Sequence, residues 1–288
     1  MSGSTLWLAL PWSAIFLAAL AIWIPRLRRL SLGVCALGYA GGFMTGQLAP
    51  AAVAPLALLA AAAYLVAPQR PVAARWSGHL LFIVLAVALT LHWLPGFHNP
   101  RVIGPVRFTP DAVPFTMYLN FDKPLVGFWL MWVLPWLRPA VPCARSMRIG
   151  LGSALATSTA CLSFALALGM VGWAPKWPAL GWLWLLNNAL LVTFAEEALF
   201  RGYLQGGLER LLAPRRGGGT LALALAAVAF GAAHLAGGWP WAVLGTVAGV
   251  GYGLAYRHGG LRAAVLAHLG LNLIHFTLFT YPMLQAAR

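Results

Sequence analysis

The stretch Thr193-Phe194-Ala195-Glu196-Glu197-Ala198-Leu199-Phe200-Arg201-Gly202-Tyr203 stands at the end of a long apolar run, Ala179 to Phe194, and decides how the chain is read. The whole sequence holds five carboxylate side chains, Asp111, Asp122, Glu196, Glu197 and Glu209. Two of them stand side by side here. A charge at membrane depth costs about 2.5–3.5 kcal/mol even on lenient insertion scales. A chain that avoids acids almost everywhere, yet places two adjacent ones in an apolar setting, is using them.

The setting is membranous. Of the 288 residues, 61% are hydrophobic and 8% are charged, where a soluble domain carries about 25% charged residues. The expected fold class is all-α, a polytopic transmembrane helix bundle of about ten spans (eight to ten). They fall near residues 6–25, 30–47, 50–67, 77–95, 124–137, 149–173, 179–208, 219–237, 240–256 and 263–282. The formal net charge of +14 invites a nucleic-acid reading. The placement of the charge excludes it. Arg26, Arg28 and Arg29, then Arg70 and Arg75, then Arg138, Arg145 and Arg148, then Arg210, Arg215 and Arg216, then Arg257 and Arg262 fill alternate turns. The opposite turns keep Arg101, Arg107, Lys123 and Lys176, with the terminal Arg288. This is the positive-inside pattern, and it puts both termini outside. No basic residue precedes the first apolar run, so that run reads as a retained helix rather than a cleaved signal. The three cysteines, Cys35, Cys143 and Cys161, are scattered and imply no disulfide framework.

Ionisable groups inside the apolar runs gather late in the chain. Residues 1–148 read as accessory membrane helices and residues 149–288 as the functional core. Adjacent residues on a helix point about 100° apart, so Glu196 and Glu197 face different ways. Glu197 precedes Arg201 by four residues, the favoured order for a helical ion pair. That leaves Glu196 to face a polar cavity as a base. Phe230-Gly231-Ala232-Ala233-His234 puts a histidine deep in the eighth span. At about 1.5 Å per residue, His234 lies roughly 21 Å from Thr220 and Glu196 roughly 20 Å from Glu209, so the depths match. His268 and Asn272 share a helix face at i and i+4, and both can donate to a developing oxyanion. His275 continues that face and reads as structural. The set suits amide hydrolysis by activated water. Two His and a Glu could also hold zinc, although no HExxH, GxSxG or Walker A sequence is present.

Glu196-Glu197-x-x-x-Arg201, Phe230-x-x-x-His234 and His268-x-x-x-Asn272 together resemble the CPBP family. These are CAAX-processing and bacteriocin-processing intramembrane proteases, also called the ABI family, and they include the type II CAAX prenyl endopeptidases. The resemblance covers about residues 179–282. It implies that Glu196 activates water with help from His234, that His268 and Asn272 form the oxyanion hole, and that Glu197 and Arg201 hold the site together. Members have been described as metallo- and as glutamic proteases; Asn272 suits an oxyanion donor better than a metal ligand, which favours no cofactor over zinc. The implied partners are a membrane-associated protein or peptide substrate and the lipid bilayer. The composition suits a bacterial inner membrane. The alternatives are a non-catalytic immunity or peptide-binding protein of the same fold, and a proton-coupled transporter.

Overall fold

Proline and glycine punctuate the apolar runs, and the helices start and stop where they fall. The computed structural model describes residues 3–138 and 140–287, so Arg288 lies outside the described residues. Among the described residues the regular elements are helices apart from one two-stranded ribbon. It divides into two units. One gathers the chain up to Pro100, Tyr118–Pro135 and Leu190–Ala195; the other gathers Arg101–Met117, Trp136–Ala189 and the chain from Glu196 on.

The first unit contains α1 (Gly3–Ala21), α2 (Arg28–Met44), α3 (Val53–Leu65), α4 (Val72–Thr90) and α5 (Lys123–Val133). Pro71 precedes α4, and Asp122 caps α5 by accepting from the Lys123 amide at 2.8 Å. Aromatic stacking fixes the interior: Phe82 lies on Trp129 with ring centroids 4.0 Å apart.

The second unit contains the ribbon β1 (Arg101–Val106) and β2 (Phe115–Tyr118), then α6 (Cys143–Ala167), most of the long helix α7 (Gly181–Leu211), α8 (Gly218–Ala232) and α9 (Trp239–Leu278). Helix α9 is not continuous. Gly260 sits at φ 74°, ψ −174°, outside helical space. Contacts show what this break does. Ser146 Oγ donates to the Gly259 carbonyl at 2.7 Å, Gly150 abuts Leu266, and Gly270 abuts Ala154. The numbers rise together, so α6 and the second arm of α9 run parallel. Thr157 meets Gly251, and Cys161 Sγ lies 3.8 Å from the Leu244 carbonyl. Here one number rises as the other falls, so the first arm runs antiparallel to α6. The two arms therefore form a hairpin turned at Gly260. Gly253 against Leu223, Gly249 against Ala227 and Gly245 against Gly231 make a second hairpin, between α8 and that first arm. Small residues at the crossings let the backbones approach closely.

Among the described residues four helices are long and apolar enough to cross a membrane, namely α4, α6, α7 and α9, and three shorter apolar helices accompany them. With α9 counted as two arms, each of the ten apolar runs forms a helix, but several are short, such as α3 with 13 residues and α5 with 11. Helix length and composition do not confirm the expected count of about ten spans, because several helices end before their apolar run does. Helix α8, with 15 residues, is only roughly 22 Å long at 1.5 Å per residue. Large apolar side chains such as Leu37, Leu80, Leu155 and Trp182 point outward, as helices bathed in lipid require. These are the features of an integral membrane protein.

The loop before α5 is ordered. Ile103 and Met117 of the ribbon are buried with Trp184 and Phe276, whose rings stack 3.9 Å apart. Arg107 donates to the Ala112 carbonyl and to Gln285 Oε1, and Lys176 donates to the carbonyls of Ala174 and Phe279. Burial pushes the Lys176 ammonium below its ordinary range, and Asp111 pulls it back up.

Candidate active site

Helix α7 carries the acidic pair on a distorted backbone. Two π-helical stretches, Asn188–Val192 and Ala198–Gln205, flank the α-helical turn Thr193–Glu197. Such bulges change which face a residue presents and recur at functional sites. Glu197 and Arg201 have no exposed surface, and the pair expected from their spacing is formed: Arg201 Nε donates to Glu197 Oε2 at 3.1 Å. Arg201 Nη1 also donates to the Ala226 carbonyl at 3.3 Å. Its guanidinium carbon lies 4.9 Å from the centre of the Phe230 ring, which helps carry a charge removed from water.

The other oxygen of Glu197 goes to a histidine. His268 Nδ1–H donates to Glu197 Oε1 at 2.9 Å, and His268 Nε2 lies 3.9 Å from Glu196 Oε2. His268 therefore stands between the two adjacent carboxylates. Its ring is sandwiched by aromatic contacts: Tyr252 stacks on it at 4.5 Å and 14°, and Phe230 meets it edge-on at 5.5 Å. Helix α7 continues the polar line with Gln205, which donates to the Gly253 carbonyl and to Glu209, and Glu209 meets Arg257 at 3.3 Å.

His234 departs from the expected position. Helix α8 ends at Ala232, so His234 lies in the turn after it rather than within the span. Gly231, Gly237 and Gly238 end the helix early. His234 Nδ1–H donates to the Phe230 carbonyl at 2.8 Å, which leaves Nε2 as the ring nitrogen this bond does not use. Asn272 Nδ2 donates to Asn188 Oδ1 at 2.9 Å. His275 is held by the Thr280 carbonyl at 3.2 Å, in keeping with a structural part.

A cavity of about 100 Å³ opens among these groups, with His234, His268, Asn272 and His275 in its wall beside apolar residues such as Leu244 and Met170. Glu196 is not among the lining residues, and the wall is mostly apolar. The neighbour of Glu196 is His268, 3.9 Å away through Nε2, and that histidine is on the wall. No group of three or more His, Cys, Asp or Glu among the described residues is placed to hold a metal ion. Glu197 already has a hydrogen bond on each oxygen, from Arg201 and from His268.

The structure thus brings Glu196, Glu197, Arg201 and His268 into one connected cluster. It places His234 and Asn272 on the wall of the cavity that His268 also lines. Sequence reasoning missed Asn188 and Tyr252, which are uncharged and carry no motif. Their one legible signal is polarity within apolar runs.

Residues 177–274 match the family model described as Type II CAAX prenyl endopeptidase Rce1-like. The match spans about a third of the chain and contains every candidate residue named above. Neither the curated proteins nor the solved structures compared with the chain gave a match. The matched family is one of proteases, and the match agrees with the resemblance carried by the three motifs.

Proposed function

We propose that the protein is an intramembrane endopeptidase that hydrolyses a peptide bond of a membrane-associated protein or peptide. The observation that carries this reading is the environment of His268, bound through one nitrogen to Glu197 and facing Glu196 with the other. A carboxylate–histidine pair fixes the ring, as in other hydrolytic sites.

The steps follow from the groups present. Glu196 takes a proton from water, with Nε2 of His234 sharing the hydrogen-bonding of that water. The water oxygen bonds to the scissile carbonyl carbon, and the carbonyl electron pair moves onto its oxygen. His268 and Asn272 donate to this oxyanion. The intermediate collapses, the C–N bond breaks, and the proton held by Glu196 goes to the departing nitrogen. Glu197 and Arg201 hold His268 in place. No step requires a metal. In this reading residues 149–288 are the protease core, residues 1–148 are accessory helices, the basic turns face the cytoplasm, and the bilayer is a bacterial inner membrane.

The test uses purified protein in detergent and three substrates: a farnesylated peptide with a C-terminal CAAX sequence, the same peptide unprenylated, and a single-span membrane peptide. Cleavage of any of them, lost in Glu196→Gln and in His234→Ala and unchanged by a chelator, is the expected result. Activity removed by chelation and restored by zinc contradicts the glutamate mechanism. Binding without cleavage of any peptide contradicts the enzyme reading and favours the peptide-binding alternative.

A further inference from the structure

We infer that Asn188 is a positioning residue that sets the amide orientation of Asn272; the inference rests on the hydrolytic reading above. Asn272 can serve an oxyanion only through its Nδ2 hydrogens. A free side-chain amide turns about its last torsion, and in one of its two orientations the carbonyl oxygen would point where the oxyanion forms. That orientation repels the developing charge. One bond holds the donating orientation: Asn272 Nδ2 donates one hydrogen to Asn188 Oδ1 at 2.9 Å, with Asn188 presenting its oxygen, and the second hydrogen on Nδ2 is left for another acceptor. Asn272 lines the cavity and Asn188 does not, so Asn188 acts through its partner.

Two further observations suit that role. Asn188 is buried, 8% exposed, in a largely apolar stretch of α7, where a polar side chain is kept by the hydrogen bonds it makes. It also opens the first π-helical stretch, Asn188–Val192, one short segment before the Glu196–Glu197 turn. The helix that carries the glutamates therefore also carries the group that orients a donor on the second arm of α9. Both sides of the reaction, water activation and oxyanion binding, are keyed to one element.

The test is a double-mutant cycle on whichever of the three peptides is cleaved, with Glu196→Gln as a control. Asn188→Ala is expected to lower kcat about tenfold, the equivalent of one misoriented hydrogen bond, and to leave KM within about twofold. Asn272→Ala is expected to lower kcat by about 10²–10³, the usual loss for an oxyanion donor. In the Asn272→Ala background the further change Asn188→Ala should do nothing, because its target is gone. Asn188→Ser, which keeps an oxygen acceptor, should recover part of the loss. If Asn188→Ala does not fold, Asn188→Ser carries the same cycle. Losses that multiply in the double variant, a change confined to KM, or an unaffected Asn188→Ala would each overturn the inference. Glu196→Gln inactive alongside any of these results sinks the role of Asn188 alone, whereas an active Glu196→Gln sinks the hydrolytic reading itself. If no peptide is cleaved, both fall together.

Discussion

Among the described residues each unit has a buried carboxylate paired with a histidine, Asp122 with His92 in the first and Glu197 with His268 in the second. In the first unit, Asp122 accepts from His92 Nδ1 at 2.7 Å, from Asn99 Nδ2 at 3.2 Å and from the Lys123 amide at 2.8 Å. In the second, Glu197 accepts from Arg201 and His268. The carboxylates are alike in burial. The histidines differ. The His92 side chain is 45% exposed and its partner closes a helix N-terminus, so the pair ties a loop to α5. The His268 side chain is 6% exposed, stacked by Tyr252, and presents its far nitrogen to a second carboxylate beside a cavity. A carboxylate–histidine pair ending in solvent at a helix cap is structural. The same pair becomes chemically useful when the ring is held rigid and its other nitrogen meets another ionisable group.

This contrast can be broken or sharpened by substitution. The largest effect belongs to Glu196→Gln, expected to lower kcat by about 10²–10⁴, the usual worth of a positioned base; peptide hydrolysis in detergent measures it. Next come Glu197→Gln and Arg201→Met. Each leaves its partner buried and unbalanced, with an expected destabilisation of about 3–5 kcal/mol, whereas the double variant Glu197→Leu with Arg201→Leu should lose less than either single change. Thermal unfolding in detergent decides the order, and equal additive losses would contradict a coupled pair. Gly245→Leu follows. A Cβ on Gly245 would meet His234 Nδ1 at 3.3 Å, and overpacking of this kind costs about 1–3 kcal/mol, so a fall in kcat with a modest fall in melting temperature is expected. The smallest effect is that of Asp122→Asn. It keeps a capping side chain and should cost about 1 kcal/mol or less, with hydrolysis unchanged. A large loss of activity in Asp122→Asn would erase the distinction between the two pairs.

Much of the second unit is legible in the residues. The Glu197–Arg201 pair follows from i and i+4 spacing, and the hairpin at Gly260 follows from a glycine pair between two apolar runs. The lengths of the helices do not follow from hydropathy, because glycines at 231, 237 and 238 end α8 inside a run that stays apolar. The partner of His268 was equally hidden. Spacing puts His268 with Asn272 on one face, but it does not show that the face turns towards the glutamates, since two π-helical stretches in α7 reset the rotation of that helix. Asn188 and Asn272 meet across 84 positions of sequence, and nothing local to either residue encodes that meeting. Tyr252 reads as an ordinary apolar-face aromatic until the ring beneath it is known.

The most direct measurement compares kcat for His268→Ala and His92→Ala on the same peptide, with both variants shown to fold. The account predicts a loss of about 10²-fold or more for His268→Ala and no change beyond about twofold for His92→Ala. Comparable losses in both, or an active His268→Ala, would contradict it.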